Sequence, residues 1–481
     1  MPSNIILPFV GIEFDNSRAQ RGPALMPFAA LLIGQKTSSG TVTAKTLTPV
    51  FSTAEVGQKA GIGSQLHVMA KAWFKNNSFT DTYIIALDDE ATGTSATRTI
   101  TFAGTATEDG EIPIYINGVR VAVSVAKDDT ATVIGDTLVT AMSDYDYLPW
   151  SAANVTGTVT MTCKNDGVAA GDNDMRHSIE PTEKIPGGIT VTIGTTTAGT
   201  VDPDVQDALD AIGDQWFQVI VNPYDDATNL GKIEDYLKTT FGVMYQKDSV
   251  CYQAKRDTVS NLVTFATGAG RNSPHCVLID AGNRLGATYE IASAVAAQSA
   301  ASAQDDPAVP LHRLELIGYR PNVKSERRTF TERNNLARNG VMTLSDENGL
   351  QTESTVTMYL KNSAGAVDTS YQYQNTMFVL QRARYRAVQR FLSKYPRAKL
   401  VDDTTRLQAG QQAISPDIAK MELIAYFKQE EREGQFENID QFIEDLVVER
   451  DATNTNRLNF IMSPDLVNQF IVGSGIIQFL L

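Results

Sequence analysis

The sequence predicts a multidomain α/β protein: an α/β core interrupted by an inserted mostly-β domain, then an α+β C-terminal domain, with extended β arms at both termini. Three observations predict it. Short apolar strands alternate with helical patterns over residues 21–90 and again over 205–313, the signature of crossover units that build a parallel sheet. Between them, over residues 91–204, Thr, Gly, Val and Ala dominate and the strands alternate in polarity. The two ends, 1–20 and 466–481, carry apolar residues at period two, away from any strand that could pair with them.

Taken in order, residues 29–33 (AALLI) form a buried strand ending at Gly34. Ser52 and Thr53 cap a short helix that stops near Gly57 to Gly61, and Ser64 caps the next, through Leu66, Met69, Ala70 and Trp73. Residues 83–87 (YIIAL) are a second apolar strand. Within the insertion, Asn117-Gly118 is a hairpin turn, because both central positions favour positive φ. A helix over about 132–142 interrupts the insertion's strands.

The core pattern then resumes with strands at 216–221 (WFQVIV) and 276–280 (CVLID), and helices at 230–241 and 289–303. From about 314 to 465 the pattern changes again. Strands over 340–344 and 350–360 are joined by the turn-rich Asp346-Glu347-Asn348-Gly349. Helices follow over 377–395, stopped by Pro396, and over 416–433, with Ser415 as N-cap, Pro416 at the first position and Gly434 beyond the end. A last helix spans 439–448, where Ile439, Phe442, Ile443, Leu446 and Val447 make one apolar stripe.

Composition bounds the function. The 481 residues are 42% hydrophobic and 20% charged, enough apolar material for several cores. The net charge of −15 argues against nucleic acid, which is bound by neutralising phosphates with Lys and Arg. No apolar run is long enough to span a bilayer, and the opening MPSNIILPFV lacks the basic region of a signal peptide, so folding in a cytoplasm is expected. Cys163, Cys251 and Cys276 form no CxxC pair and read as buried thiols.

Chemistry is sparse. His67, His177, His275 and His312 make no helical zinc pair, and no nucleophile elbow, phosphate loop or dinucleotide fingerprint is present, so no cofactor is expected. Asp88, Asp225 and Asp280 each follow a core strand, where α/β enzymes place metals or bases; a metal-dependent enzyme is therefore one alternative. Helix caps and solvated turns explain such aspartates better, since position in a fold does not make a site. A second alternative is a glycan-binding or adhesin module in the Thr-rich insertion. Arg382, Arg386, Arg390 and Lys394 recur every fourth residue and so line one helix face; it is either a solvated face or, since like charges at that spacing repel, one that meets an acidic partner surface.

The ends point elsewhere. Val10, Ile12 and Phe14 alternate along the first arm, after Pro8, which cannot donate to a ladder; Ile477, Phe479 and Leu481 alternate along the last. An isolated strand is unstable in water and its open backbone groups template association, so the arms either fold back or add to a neighbour's sheet.

The opening GIEFDNSRA with its following LLIGQ strand, and the later segments RNNLARNGVMTL, SKYPRAKLVDD, AISPDIAKMELIAYF, FENIDQFIEDLVVERD and NRLNFIMSPDLVNQFIVGSGIIQF, resemble the contractile tail sheath proteins of Mu-like bacteriophages. The resemblance is strongest over 315–481 and the first ninety residues, while the insertion resembles the variable outer part of such sheaths. It implies a structural subunit rather than an enzyme, polymerising as stacked hexameric rings around a tail tube, with tube, baseplate and tail terminator proteins as partners. It implies a place in the virion tail, assembly in the host cytoplasm, and contraction that drives the tube through the host envelope.

Carried onto this chain, the resemblance makes Val10, Ile12, Phe14, Ile477, Phe479 and Leu481 strand-exchange positions and Gly473 and Gly475 the arm hinge. It turns the C-terminal helices, with the Arg382 to Lys394 stripe, toward the tube, and points the insertion outward.

Overall fold

The computed structural model describes residues 25–480 other than 269, 407 and 409. An eight-stranded sheet organises the core, with strands in the spatial order 351–354, 341–345, 276–280, 250–255, 219–221, 29–35, 81–87 and 47–50. The six inner strands are parallel and the two edge strands antiparallel. Inner strands covered on both faces need apolar side chains on both, and the seven residues of Ala29–Gln35 are all buried. Ala30 and Leu32 face one hydrophobic cluster, Leu31 and Ile33 the other.

The helices Gln65–Asn76 and Thr288–Asp305 cover the first face. Alanines such as Ala292, Ala296 and Ala300 let the second of these approach the sheet, while Trp73 of the first is buried whole and donates its Nε1–H to Thr82 Oγ1 at 2.8 Å. The opposite face is covered by Gln206–Ile212, Ala227–Phe241, Val259–Ala266 and Phe330–Arg338. Sequence periodicity does not announce the last, because Leu336 is its one buried residue; its start is set by a capping box in which Thr329 and Glu332 bond each other's backbone N–H. The expected caps Ser52 and Ser64 accept from Glu55 N and His67 N.

The sheet does not stop at the expected boundary near residue 313. Strand Val341–Ser345, assigned from sequence to the C-terminal domain, lies parallel beside Cys276–Asp280 and extends the core. Its residues Met342 and Leu344 enter the first core cluster and Val341 the second, so both faces are apolar, which suits an interior strand. Its partner is shorter than expected, Gln351–Ser354, and forms the sheet edge.

The insertion shares no strand with this sheet. It has a four-stranded sheet, a three-stranded sheet and the helix Ala131–Met142 around its own apolar cluster. Asn117 and Gly118 take φ of +48° and +77°, making the two-residue hairpin turn between Gly110–Ile116 and Val119–Val125. Polar contacts tie the insertion to the core: Gln65 N donates to Asn165 Oδ1 at 2.9 Å, and Arg176 Nη1 to Glu326 Oε2 at 2.7 Å.

Beyond it, the helices Gln374–Lys394 and Pro416–Arg432 pair around Leu423, Tyr426 and Phe427. Ser415 caps the second, accepting from Ile418 N, and Gly434 leaves it at φ +73°. The expected helix over 439–448 is cut short to Ile439–Asp445. Val447–Arg450 is instead a strand, pairing antiparallel with Leu458–Ile461, because consecutive β-branched Val447 and Val448 meet Ile461 and Phe460 across a ladder.

Candidate assembly surface

The candidate site is made of an exposed tail and a two-stranded ladder that has no further partner among the described residues. After Leu466 the chain runs without helix or strand to residue 480. Residues up to Val472 line a cleft with Ala308 and Thr369 to Thr376, so the first part of the tail follows its own domain. From Gly473 the chain is exposed, and Ile477 and Phe479 show 92% and 78% of their surface to solvent. Neither Gly473 nor Gly475 has a positive φ. A Cβ at Gly473 would stand 3.1 Å from the Phe470 ring, whereas position 475 is open. The positions Val10, Ile12, Phe14 and Leu481 lie outside the described residues.

The hairpin of Val447–Arg450 with Leu458–Ile461 has two strands only, and among the described residues neither outer edge has a further ladder partner. Two strands alone are marginal in water, and this pair leaves Val447, Phe460 and Ile461 exposed. An added strand would satisfy the edge and cover these side chains together.

The basic stripe finds its acidic surface inside the subunit. Arg386 Nη1 lies 2.9 Å from Glu430 Oε1 and 2.6 Å from Glu433 Oε2, and Arg382 pairs with the same two carboxylates. Arg390 and Lys394 share Glu422, the latter at 2.6 Å. The acidic partner surface expected as one reading belongs to the same subunit: the neighbouring helix Pro416–Arg432 and its C-cap Glu433 supply it. Burial works against the charge of Glu422, but hydrogen bonds from Lys394 and Arg390 outweigh it and hold the carboxyl below its usual range. Glu433 is lowered in the same way, burial being outweighed by Arg386 and Gln429.

On another face of the 374–394 helix, Arg384 reaches the core, 3.1 Å from Asp248 Oδ1 and donating to Phe241 O at 2.8 Å. Burial raises the Asp248 carboxyl to about 6 although Arg384 opposes it. Sequence reading missed this junction, since Arg384 stands off the stripe and Asp248 lies in a loop.

The three aspartates weighed as catalytic do not form a shared site. Asp88 is exposed and 3.7 Å from Lys36, Asp225 pairs with Lys255, and Asp280 is buried against Arg328 at 3.1 Å. Among the described residues, no group of three or more His, Cys, Asp or Glu is arranged to hold a metal. The thiols of Cys163, Cys251 and Cys276 are buried and unpaired.

Comparison with known proteins agrees with a structural role. The phage tail sheath C-terminal domain family matches residues 366–472, which takes in the paired helices, the hairpin and the first part of the tail. The Mu-like prophage FluMu tail sheath protein of Haemophilus influenzae is 34% identical over 483 residues, spanning 100% of this chain and 99% of its own. Among solved structures, a sheath tail protein of Listeria innocua has the same fold, with a TM-score of 0.52 at 13% identity over 94% of each chain. A chain of the anti-feeding prophage baseplate matches at a TM-score of 0.50 and 10% identity over 99% of each. Because the identity to the Haemophilus protein runs along the whole length of both chains, this chain belongs to the tail sheath protein family of Mu-like prophages.

Proposed function

We propose that this tail sheath protein polymerises as stacked hexameric rings around a tail tube, linked by strand exchange of its terminal arms, and contracts to drive the tube through the host envelope. The observation that carries the reading is the presence in one chain of an exposed apolar tail and a two-stranded hairpin whose edges have no partner among the described residues. Every copy then offers a donor strand and an acceptor edge, which is the condition for head-to-tail polymerisation. Each backbone hydrogen bond in such an exchange contributes about 0.5–1.5 kcal/mol, so the mesh gains strength by repetition. The N-terminal arm, with Val10, Ile12 and Phe14, would add a second strand. The energy of contraction resides in assembly, and the arms keep subunits joined while their rigid bodies rotate.

In this reading the C-terminal domain faces the tube and the insertion faces outward, with assembly in the host cytoplasm and with tube, baseplate and terminator proteins as partners. The anti-feeding prophage match, a chain of a baseplate, supports the baseplate contact. Electron microscopy of the full chain beside a chain ending at Val467 tests it. Tubes or rings from the first and monomers from the second are expected; polymers from both would overturn the role of the tail.

A further inference from the structure

An apolar groove of about 760 Å3 opens where the core meets the C-terminal domain. Val388, Phe391 and Leu392 of the 374–394 helix form one wall, Leu458 and Phe460 of the hairpin a second, and Val243 of the loop after the 227–241 helix a third. Arg384 also lines it, and this side chain ties the two domains together through Asp248 and Phe241 O. Val243, Leu392 and Phe460 are all exposed. Contiguous apolar surface of this kind on a soluble chain marks a contact surface.

The tail has the matching chemistry. No residue from 467 to 481 carries an ionisable side chain, so entering an apolar groove removes no side-chain charge from water. Near its end Ile476, Ile477, Phe479 and Leu480 are all exposed; in an extended chain Ile477 and Phe479 share one face, while Gln478 separates Ile476 from Leu480 on the other. Pairing with a hairpin edge satisfies the backbone but leaves the apolar side chains of Ile477 and Phe479 to be covered. The groove adjoins the hairpin edge and offers that cover. The tail of the same chain does not line it; its first part occupies a different cleft, with Thr369 to Thr376.

We propose that the groove seats the end of the C-terminal tail of a second copy, with Phe479 as the anchor. This rests on the strand-exchange reading above and adds the seat for the side chains. Since core and C-terminal domain both supply walls, a seated tail spans their junction, so that a neighbour's grip depends on how the two domains are set.

Full-length chains carrying Leu392→Cys and Ile477→Cys, the second leaving the Phe479 anchor in place, are prepared separately, one of them 15N-labelled, then mixed, assembled and oxidised with diamide. The three native thiols are buried and leave the new pair as the reactive one. A disulfide joining a labelled to an unlabelled peptide is expected wherever the two variants meet in the assembly. Tubes without that crosslink overturn the proposal, as does a doubly substituted chain that crosslinks only within itself. Leu392→Glu, at an exposed position that folding tolerates, is expected to abolish tubes while leaving the circular dichroism unchanged. Normal tubes from Leu392→Glu with none from the chain ending at Val467 would remove the groove as the seat and keep strand exchange. Normal tubes from both would remove both readings.

Discussion

At the scale of single residues, burial separates charges that matter from charges that do not. Glu430 is fully buried between Arg382 and Arg386. Removing one member of such a group strands the others without a partner, at a cost of about 3–5 kcal/mol. Glu430→Ala should therefore lower the urea midpoint of the C-terminal domain markedly, and an unchanged midpoint would show that the stripe is held by Glu433 and Glu422 alone. Asp88 offers the contrast, because its exposed contact with Lys36 is worth less than about 1 kcal/mol. Asp88→Ala should leave thermal unfolding unmoved. If the aspartates serve structure only, Asp88→Ala and Asp225→Ala should each still assemble, with tube formation scored by microscopy, while Asp280→Ala, which strands Arg328, should lower the thermal midpoint.

At the scale of elements, the pairing of the 374–394 and 416–432 helices has a calculable response to acid. Glu422 and Glu433 titrate below their ordinary range in the folded chain. Their contribution is therefore present above the unfolded value of about 4.3 and is lost as pH falls through the lower folded value. Asp248, Asp202 and Glu234 act with opposite sign: burial raises them to about 6, 6 and 7, so the folded state takes up protons first and gains stability as pH falls from 7 toward 4.5. Thermal midpoints measured from pH 8 to 3 should pass through a maximum at about pH 5 and then drop. A steady decline from pH 7 to 5 would show that other groups dominate.

At the scale of the whole molecule, the insertion has its own sheets and its own apolar cluster, and it meets the core through a seam of polar contacts and through Ala169, which packs into the second core cluster. A fragment of residues 91–204 should therefore unfold cooperatively by itself, as circular dichroism against temperature would show; a fragment without a transition would mean that the seam is needed for folding. The C-terminal tail presents the opposite case. Exposed and apolar in the single chain, its end has no packing to lose until another surface covers it, so its structure belongs to the assembly.

By itself the sequence determined the local features that depend on nearby residues. Inner strands such as 29–35 and 276–280 show as unbroken apolar runs because they are buried on both faces, whereas Val250–Lys255, broken by Gln253 and Lys255, goes unannounced; the helix starts show as Ser52, Ser64 and Ser415, and the Asn117-Gly118 turn shows through its demand for positive φ. Tertiary structure decided what depends on distant partners. It gave strand 341–345 to the core sheet, made 447–450 a strand by supplying 458–461 to pair with it, and matched the basic stripe to carboxylates some 28 to 51 positions further along. Apolar pattern and capping act within a turn or two of the chain, whereas ladder partners, ion pairs and the Arg384–Asp248 junction depend on which segments the fold brings together.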